Sequence, residues 1–453
     1  MALAIIARAG VGIATQSWRL PSTDDHWAFG YEMGRIAGSL AAGDGYSYPT
    51  DPPRPTAWMP PIYPLVLAAV FRVLGSFSVE SARAIEIFQV AASALSCAML
   101  FLIGSRLYGT AVGCLSAFML ALYPASVHFA VQKIWSTSLS TLLLLILLYL
   151  FTVMLDRPTT MLGLVVGLVL GMGVLTDPLI FSIVPPIVIF AAISWKSRKI
   201  TSAKSVGICL LTFSVVMAPW LIRNCAVFKA LVPVKSNFGH ELFLGNHGHA
   251  TGVLPPKIVG IERQYLGLEE LVPGAMLSEV DERYLRNLNE VEQNRFLLKK
   301  AIHSIAEDPV RFVELSTIRF FRFWTVSSRP YELSHYVNYV AYFLVLLLAF
   351  VGSLVALRER LPSALILIIV AFYPIAHYVT IVGLYRYRYP LEPVLLIAAA
   401  LALSRLPPLR GCRVLGLCGE EPRALDGEPR LQAPQREFGA ERSVGSPRLN
   451  RVP

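Results

Sequence analysis

The stretch STSLSTLLLLILLYLFTVML, residues 136–155, contains no charged side chain and is closed by Asp156-Arg157. Twenty residues of α-helix at about 1.5 Å per residue cover about 30 Å, the hydrocarbon thickness of a bilayer. Apolar runs of this kind recur on both sides of it, at 1–20, 82–104, 110–127, 160–176, 178–195, 204–222, 336–357, 362–383 and 390–405. Only 15% of the 453 residues are charged and 55% are hydrophobic, whereas soluble chains carry about a quarter charged residues. The expected fold class is an all-α polytopic membrane protein, a bundle of about ten transmembrane helices.

The loops between these runs alternate in character. One set is basic: Arg106, Asp156-Arg157, Lys196-Ser197-Arg198-Lys199, Arg358-Glu359-Arg360, Arg405 and Arg410. The other holds Asp24-Asp25, Tyr123-Pro124, Thr176-Asp177-Pro178, the long 223–335 segment and Tyr385-Arg386. Lys and Arg in short loops mark the cytoplasmic side, so the acidic set and the long segment are expected outside. The net charge of +10 is then loop bias, and no nucleic-acid partner is expected. Residues 1–16 are apolar apart from Arg8 and read as a first span, not a removed signal.

Four regions follow. Residues 1–222 form an N-terminal transmembrane half whose first outer loop, 21–81, is amphipathic: Trp27, Tyr31, Met33, Ile36, Ala37 and Leu40 recur at helical spacing, suited to a membrane surface. A short apolar helix is expected at 62–74, ended by Gly75. Residues 223–335 make the larger extracytoplasmic loop or cap, with helices at 279–304 and 310–324. Residues 336–405 are C-terminal transmembrane helices, and 406–453 should be a disordered cytoplasmic tail rich in Arg, Glu, Pro and Gly. Cys97, Cys114 and Cys209 lie in spans and Cys412 and Cys418 in the tail, with no zinc-type spacing and no disulfide framework expected.

Chemistry is most concentrated in the first outer loop. Asp24, Asp25 and Glu32 are carboxylates able to take a proton from an acceptor hydroxyl. Adjacent carboxylates repel, so one can hold a raised pKa or coordinate a cation; the bland alternative is helix capping. Near the last span, Gly383-Leu384-Tyr385-Arg386-Tyr387-Arg388-Tyr389-Pro390 interleaves two arginines with three tyrosines. Guanidinium forks match phosphate oxygens, and outer-face arginines run against the positive-inside bias. Asp177, at a span boundary before Pro178, either faces the same cavity or caps the following helix. His247 and His249 read as an exposed turn in preference to a metal site, so no metal residue is assigned. There is no nucleotide-binding motif, so an activated group would arrive on a lipid carrier.

Together these features resemble the bacterial membrane glycosyltransferases that use polyprenyl-phosphate sugars, the GT-C class close to glycosyltransferase family 39, which includes protein O-mannosyltransferases and the aminoarabinose transferases of lipid A. The resemblance covers residues 18–405. It is carried by Asp24-Asp25 with Tyr31 and Ala37, by Pro55-Thr56-Ala57-Trp58-Met59-Pro60-Pro61-Ile62-Tyr63-Pro64, by Pro219-Trp220-Leu221-Ile222-Arg223-Asn224, by Gly245-Asn246, and by Arg386-Tyr387-Arg388-Tyr389-Pro390. It implies a first-loop aspartate as catalytic base and basic residues near the last outer loop for the lipid phosphate. Many members carry Asp-Glu with Tyr three residues on. Here Asp-Asp-His-Trp stands instead, so Glu32 joins Asp25 and Asp24 as a candidate acid. Arg386, Arg388, Tyr385, Tyr63, Arg223, Asn246 and Asp177 are the expected substrate-binding residues.

The expected function is transfer of a sugar from a polyprenyl-phosphate donor to a hydroxyl of a lipid, glycan or protein, on the outer face of a bacterial cytoplasmic membrane, with the active site facing the periplasm or exterior. No cofactor is assigned beyond a divalent cation as an option. Two rivals are a flippase for lipid-linked saccharides, which would need polar spans and internal repeats, and a non-catalytic lipid-binding scaffold.

Overall fold

The computed structural model describes residues 1–19, 29–30, 32–49, 52–252, 277–325, 333–380 and 385–406. Asp24, Asp25, Tyr31 and the tail from 407 onward therefore lie outside the described residues, as does the side chain of Tyr385. All the described residues fall within one unit, Met1–Gly419.

The helices, in chain order, are α1 (Ala2–Thr15), α2 (Glu32–Ala42), α3 (Ile62–Leu74), α4 (Val79–Tyr108), α5 (Thr110–Leu122), α6 (Pro124–Val131), α7 (Thr137–Asp156), α8 (Thr160–Val174), α9 (Val184–Ser197) and α10 (Ala203–Phe228). They continue with α11 (Phe238–Asn246), α12 (Glu279–Arg286), α13 (Glu290–Glu307), α14 (Pro309–Thr325), α15 (Leu333–Arg358), α16 (Ala364–Phe372), α17 (Ile375–Val379) and α18 (Glu392–Ser404). The described strands are one two-residue antiparallel pair that sets Ser47 opposite Pro55 and Tyr48 opposite Arg54.

Among the described residues, five helices are long and apolar enough to cross a membrane, and six if the bent pair α5 and α6 counts as one span. Four of the ten expected spans are shorter apolar helices, Ala2–Thr15, Thr160–Val174, Ala364–Val379 and Tyr389–Ser404. Helix-breaking residues shorten two of them: Asp177-Pro178 follows α8, and Pro374 interrupts the third. The run at 110–127 is not straight either. Tyr123 precedes Pro124 and is extended, with φ −66 and ψ 120, because a residue before proline is pushed out of the helical region. The two halves meet at 53°.

Such a break frees carbonyls in an apolar environment, where each unmet group costs about 1–3 kcal/mol. Arg8 answers this. It is fully buried and donates to the Ala121 and Leu120 carbonyls at 3.0 and 3.3 Å, and to the hydroxyls of Ser93 and Ser126 at 2.9 and 2.6 Å. The charge that interrupts the first apolar run thus stabilises the bend.

The α8 and α10 pair packs through a four-residue repeat of glycine. A Cβ at Gly163 or Gly167 would collide with the Ser205 or Cys209 carbonyl, so the absence of side chains sets the interhelical distance. Opposite faces of α10 and α15 present Leu210, Leu211, Val215, Leu344, Leu347 and Phe350 outward, as expected against lipid acyl chains. At one end of the bundle, Asp156 accepts from Arg106 at 2.5 Å and Arg198 at 3.2 Å, joining the ends of α4, α7 and α9. Similarly, Arg405 meets Glu359 at 2.5 Å after α18 and α15.

Within the 27–42 amphipathic pattern, residues 32–42 form α2, which buries Met33, Ile36 and Ala37 in a cluster with Leu67 and Phe71 of α3. Its apolar face is thus covered by protein. The 279–304 pattern divides into α12 and α13, where Asn289 closes a capping box with Glu292. Leu242, Phe243, Leu285, Leu297 and Ala301 form a separate small core that seats α11 on α13.

Candidate active site

Five ionisable side chains from four parts of the chain act on one another away from the ion-paired end of the bundle. Glu32 opens α2. Asp177 precedes the 3-10 turn Pro178–Ile183. Lys235 lies between α10 and α11, Glu241 is in the first turn of α11, and Arg386 belongs to the 3-10 turn Tyr385–Tyr387. Lys235 lies in the joint field of Glu241, Glu32, Asp177 and Arg386. Each of these five is half-buried.

Burial sets their proton affinities. It pushes the Glu32 carboxyl above its ordinary value, with Arg386 and Lys235 pulling the other way. Burial likewise raises Glu241, opposed first by Lys235, and raises Asp177 against the pull of Tyr373. It lowers the Lys235 ammonium, which the three carboxylates support. A cluster tuned in this way holds two cationic groups beside carboxylates that accept protons more readily than usual.

Surrounding contacts fix the cluster in place. The Arg386 guanidinium lies 4.1 Å from the Trp135 ring centroid and donates to the Tyr387 hydroxyl at 3.1 Å. Trp135 is in turn held by its backbone N–H on Gln89 at 3.0 Å. Asp177 both caps its turn, accepting from Leu179 N–H at 3.1 Å, and accepts from the Tyr373 hydroxyl at 2.7 Å. Glu290, at the start of α13, is the staple beside Lys235. Its carboxylate accepts from the Thr56 hydroxyl at 2.5 Å, the Ala57 N–H at 2.8 Å and the Ser236 hydroxyl. Ser236 N–H also donates to the Ala57 carbonyl at 3.0 Å.

Of the residues expected from sequence, the structure brings together Glu32, Asp177 and Arg386. Four others are committed to internal partners. Arg388 donates to Glu392 at 2.9 Å and to the Phe323 carbonyl at 3.0 Å, with Tyr342 3.5 Å from its guanidinium carbon. Tyr63 donates to Gln89 at 2.7 Å, and so acts on the same glutamine that holds Trp135. Arg223 donates to the Thr56 and Tyr46 carbonyls at 2.7 and 2.6 Å. Asn246 donates to the Leu242 and Val379 carbonyls and accepts from Arg319 at 2.7 Å. Asp24, Asp25 and the Tyr385 side chain are outside the described residues.

His247 is 5% exposed, not part of an exposed turn, and its Nδ1 accepts from the His249 N–H at 3.2 Å. No group of three or more His, Cys, Asp or Glu side chains among the described residues is placed to hold a metal ion. Lys235, Glu241 and Glu290 were not legible as site residues.

Residues 59–222 match the family model described as dolichyl-phosphate-mannose-protein mannosyltransferase. No curated protein sequence matches the chain. Among solved structures, the oligosaccharyltransferase of Archaeoglobus fulgidus in its apo form superposes with a TM-score of 0.55 at 15% identity, over 91% of this chain and 51% of that one. The same organism's oligosaccharyltransferase AglB, with an inhibitory peptide and a dolichol-phosphate, gives a TM-score of 0.53 at 15% identity, over 92% and 51%. The chain thus spans about half the length of these enzymes. ArnT from Cupriavidus metallidurans in the apo state covers 87% of this chain and 76% of that one, at 12% identity and a TM-score of 0.34, too low to carry weight. The archaeal superpositions give the chain the fold of GT-C membrane enzymes, and the family match agrees with the resemblance to membrane glycosyltransferases.

Proposed function

We propose that this multi-pass membrane protein with the GT-C fold moves a sugar from a polyprenyl-phosphate donor to a hydroxyl acceptor at the outer face of the cytoplasmic membrane. The supporting observation is the convergence of Glu32, Lys235 and Arg386, from the first, middle and last parts of the chain, around one half-buried cluster. In this reading the 21–81 segment is the catalytic loop, 223–335 caps it, and the spans of 1–222 and 336–405 carry the lipid tail.

Arg386 and Lys235 hold the phosphate that links the sugar to its carrier. A first-loop carboxylate takes the proton from the acceptor hydroxyl. Asp25 is the expected base, then Asp24; of the first-loop carboxylates among the described residues, Glu32 is the one that belongs to the cluster. The acceptor oxygen attacks the anomeric carbon, the bond from that carbon to the phosphate oxygen breaks, and the electron pair leaves with polyprenyl phosphate. The added negative charge falls on the oxygen facing the two cations, whose fixed positions stabilise it in a water-poor site. A single displacement inverts the anomeric centre. Arg388 supports the turn from behind through Glu392.

The test is a transfer assay in membranes with polyprenyl-phosphate sugars, on wild type, D24N, D25N, E32Q, K235A and R386A. Loss of the general base should cost roughly 100-fold or more, and loss of either cation a comparable factor. Unchanged turnover in all five variants removes the site, and saccharide translocation without transfer points to a flippase.

A further inference from the structure

His240 is 2% exposed, yet neither ring nitrogen has a hydrogen-bond partner among the described residues. Buried polar atoms in native proteins are nearly always satisfied, so two on one ring call for an explanation. The ring is held in place. Its backbone and that of Gly239 donate to the Asn294 side chain at 3.3 and 2.6 Å. It packs edge-to-face with the Trp58 ring, with centroids 5.1 Å apart. Trp58 is half-buried, and its backbone N–H donates to the Thr56 hydroxyl at 2.9 Å, beside the Glu290 staple.

The ring also stays neutral. Burial and the adjacent Lys235 charge push its pKa down to about 3. A neutral imidazole offers one donor and one acceptor, the pattern of a hydroxyl group or a neighbouring pair of hydroxyls. An indole face beside it offers an apolar surface to the C–H side of a ring. Glu241, the next residue, belongs to the ionisable cluster.

We propose that Trp58 and His240 form a sugar subsite in which the indole carries the ring of the transferred sugar and the imidazole reads its hydroxyls. This rests on the transferase reading above and adds what selects the sugar. A site built to pair with a hydroxyl rejects the analogue lacking it, because its own polar atoms are then left unmet.

The experiment compares wild type, H240F and H240Q in the transfer assay, with a polyprenyl-phosphate hexose and its monodeoxy analogues as donors. Wild type should lose about tenfold or more in kcat/KM on the analogue lacking the read hydroxyl. H240F should lose about the same factor on the parent hexose but little on that analogue, so the two donors become equivalent. H240Q, which keeps a donor and an acceptor, should recover part of the discrimination. An equal loss on every donor, or none, in whichever variant folds overturns the subsite. Absence of transfer by wild type from every donor defeats the transferase reading itself, and the subsite with it.

Discussion

Arg386 and Arg388 are two residues apart and chemically identical, yet their surroundings assign them different work. Arg386 lies within the 3-10 turn Tyr385–Tyr387, whereas Arg388 caps the next turn, Tyr389–Leu391. Arg388 points into a closed pair with Glu392, with side chains 5% and 2% exposed; Tyr123 completes it by donating to Glu392 at 2.7 Å. Removing one partner of such a pair leaves a buried charge, at a cost of about 3–5 kcal/mol. R388A should therefore lower the thermal midpoint in detergent sharply. R386A should leave that midpoint nearly unchanged while lowering transfer roughly 100-fold, and a reversal of the two phenotypes would contradict their assignment. Glu32 gives a prediction in pH. Its carboxyl is raised above 4.5 by burial, and only the ionised form accepts a proton. If Glu32 is the base, the acid limb of kcat/KM lies above that value and disappears in E32Q. The stability effect has the opposite sign: a raised folded pKa means stability falls as pH rises through the window above 4.5. E32Q should be no less stable than wild type there, as a melting series across pH would show.

Among the elements, the interface of α8 with α10 depends on what is missing from it. Gly167 faces the Cys209 carbonyl with no room for a Cβ. G167L should separate the helices and cost about 1–3 kcal/mol, read as a lower midpoint and poorer yield from membranes. Elements were also where sequence reading did best and worst. The uncharged run at 136–155 became α7, Thr137–Asp156, and the 62–74 pattern became α3, because long periodic apolar segments leave a helix few alternatives. The bend at Tyr123-Pro124 was hidden by hydrophobicity, which does not report direction. Its partner Arg8 looked like a blemish in an apolar run, since its five acceptors come from α1, α4, α5 and α6. Lys235 and Glu290 went unseen for the same reason: each gains its role from residues far away in sequence, as Thr56 and Ala57 do for Glu290.

On the scale of the whole molecule, the loop charges expected to separate two membrane faces also separate two kinds of chemistry. The Arg106, Asp156 and Arg198 group is exposed and paired, worth little each in stability. The Glu32, Lys235 and Arg386 group is half-buried and unevenly charged. Phe238 and Lys199 are exposed residues near the second and first groups respectively. With all six native cysteines replaced, F238C should react with a membrane-impermeant maleimide added outside intact cells, and K199C only after permeabilisation. The opposite pattern would turn the protein over and place the site in the cytoplasm. The central claim is that Lys235 and Arg386 grip one phosphate. Titrating polyprenyl phosphate into purified wild type, K235A, R386A and the double variant measures that directly. Each single change should weaken binding about tenfold or more, and the double should lose less than the product, as for two groups sharing one anion. A folded double variant that binds as tightly as wild type would contradict it.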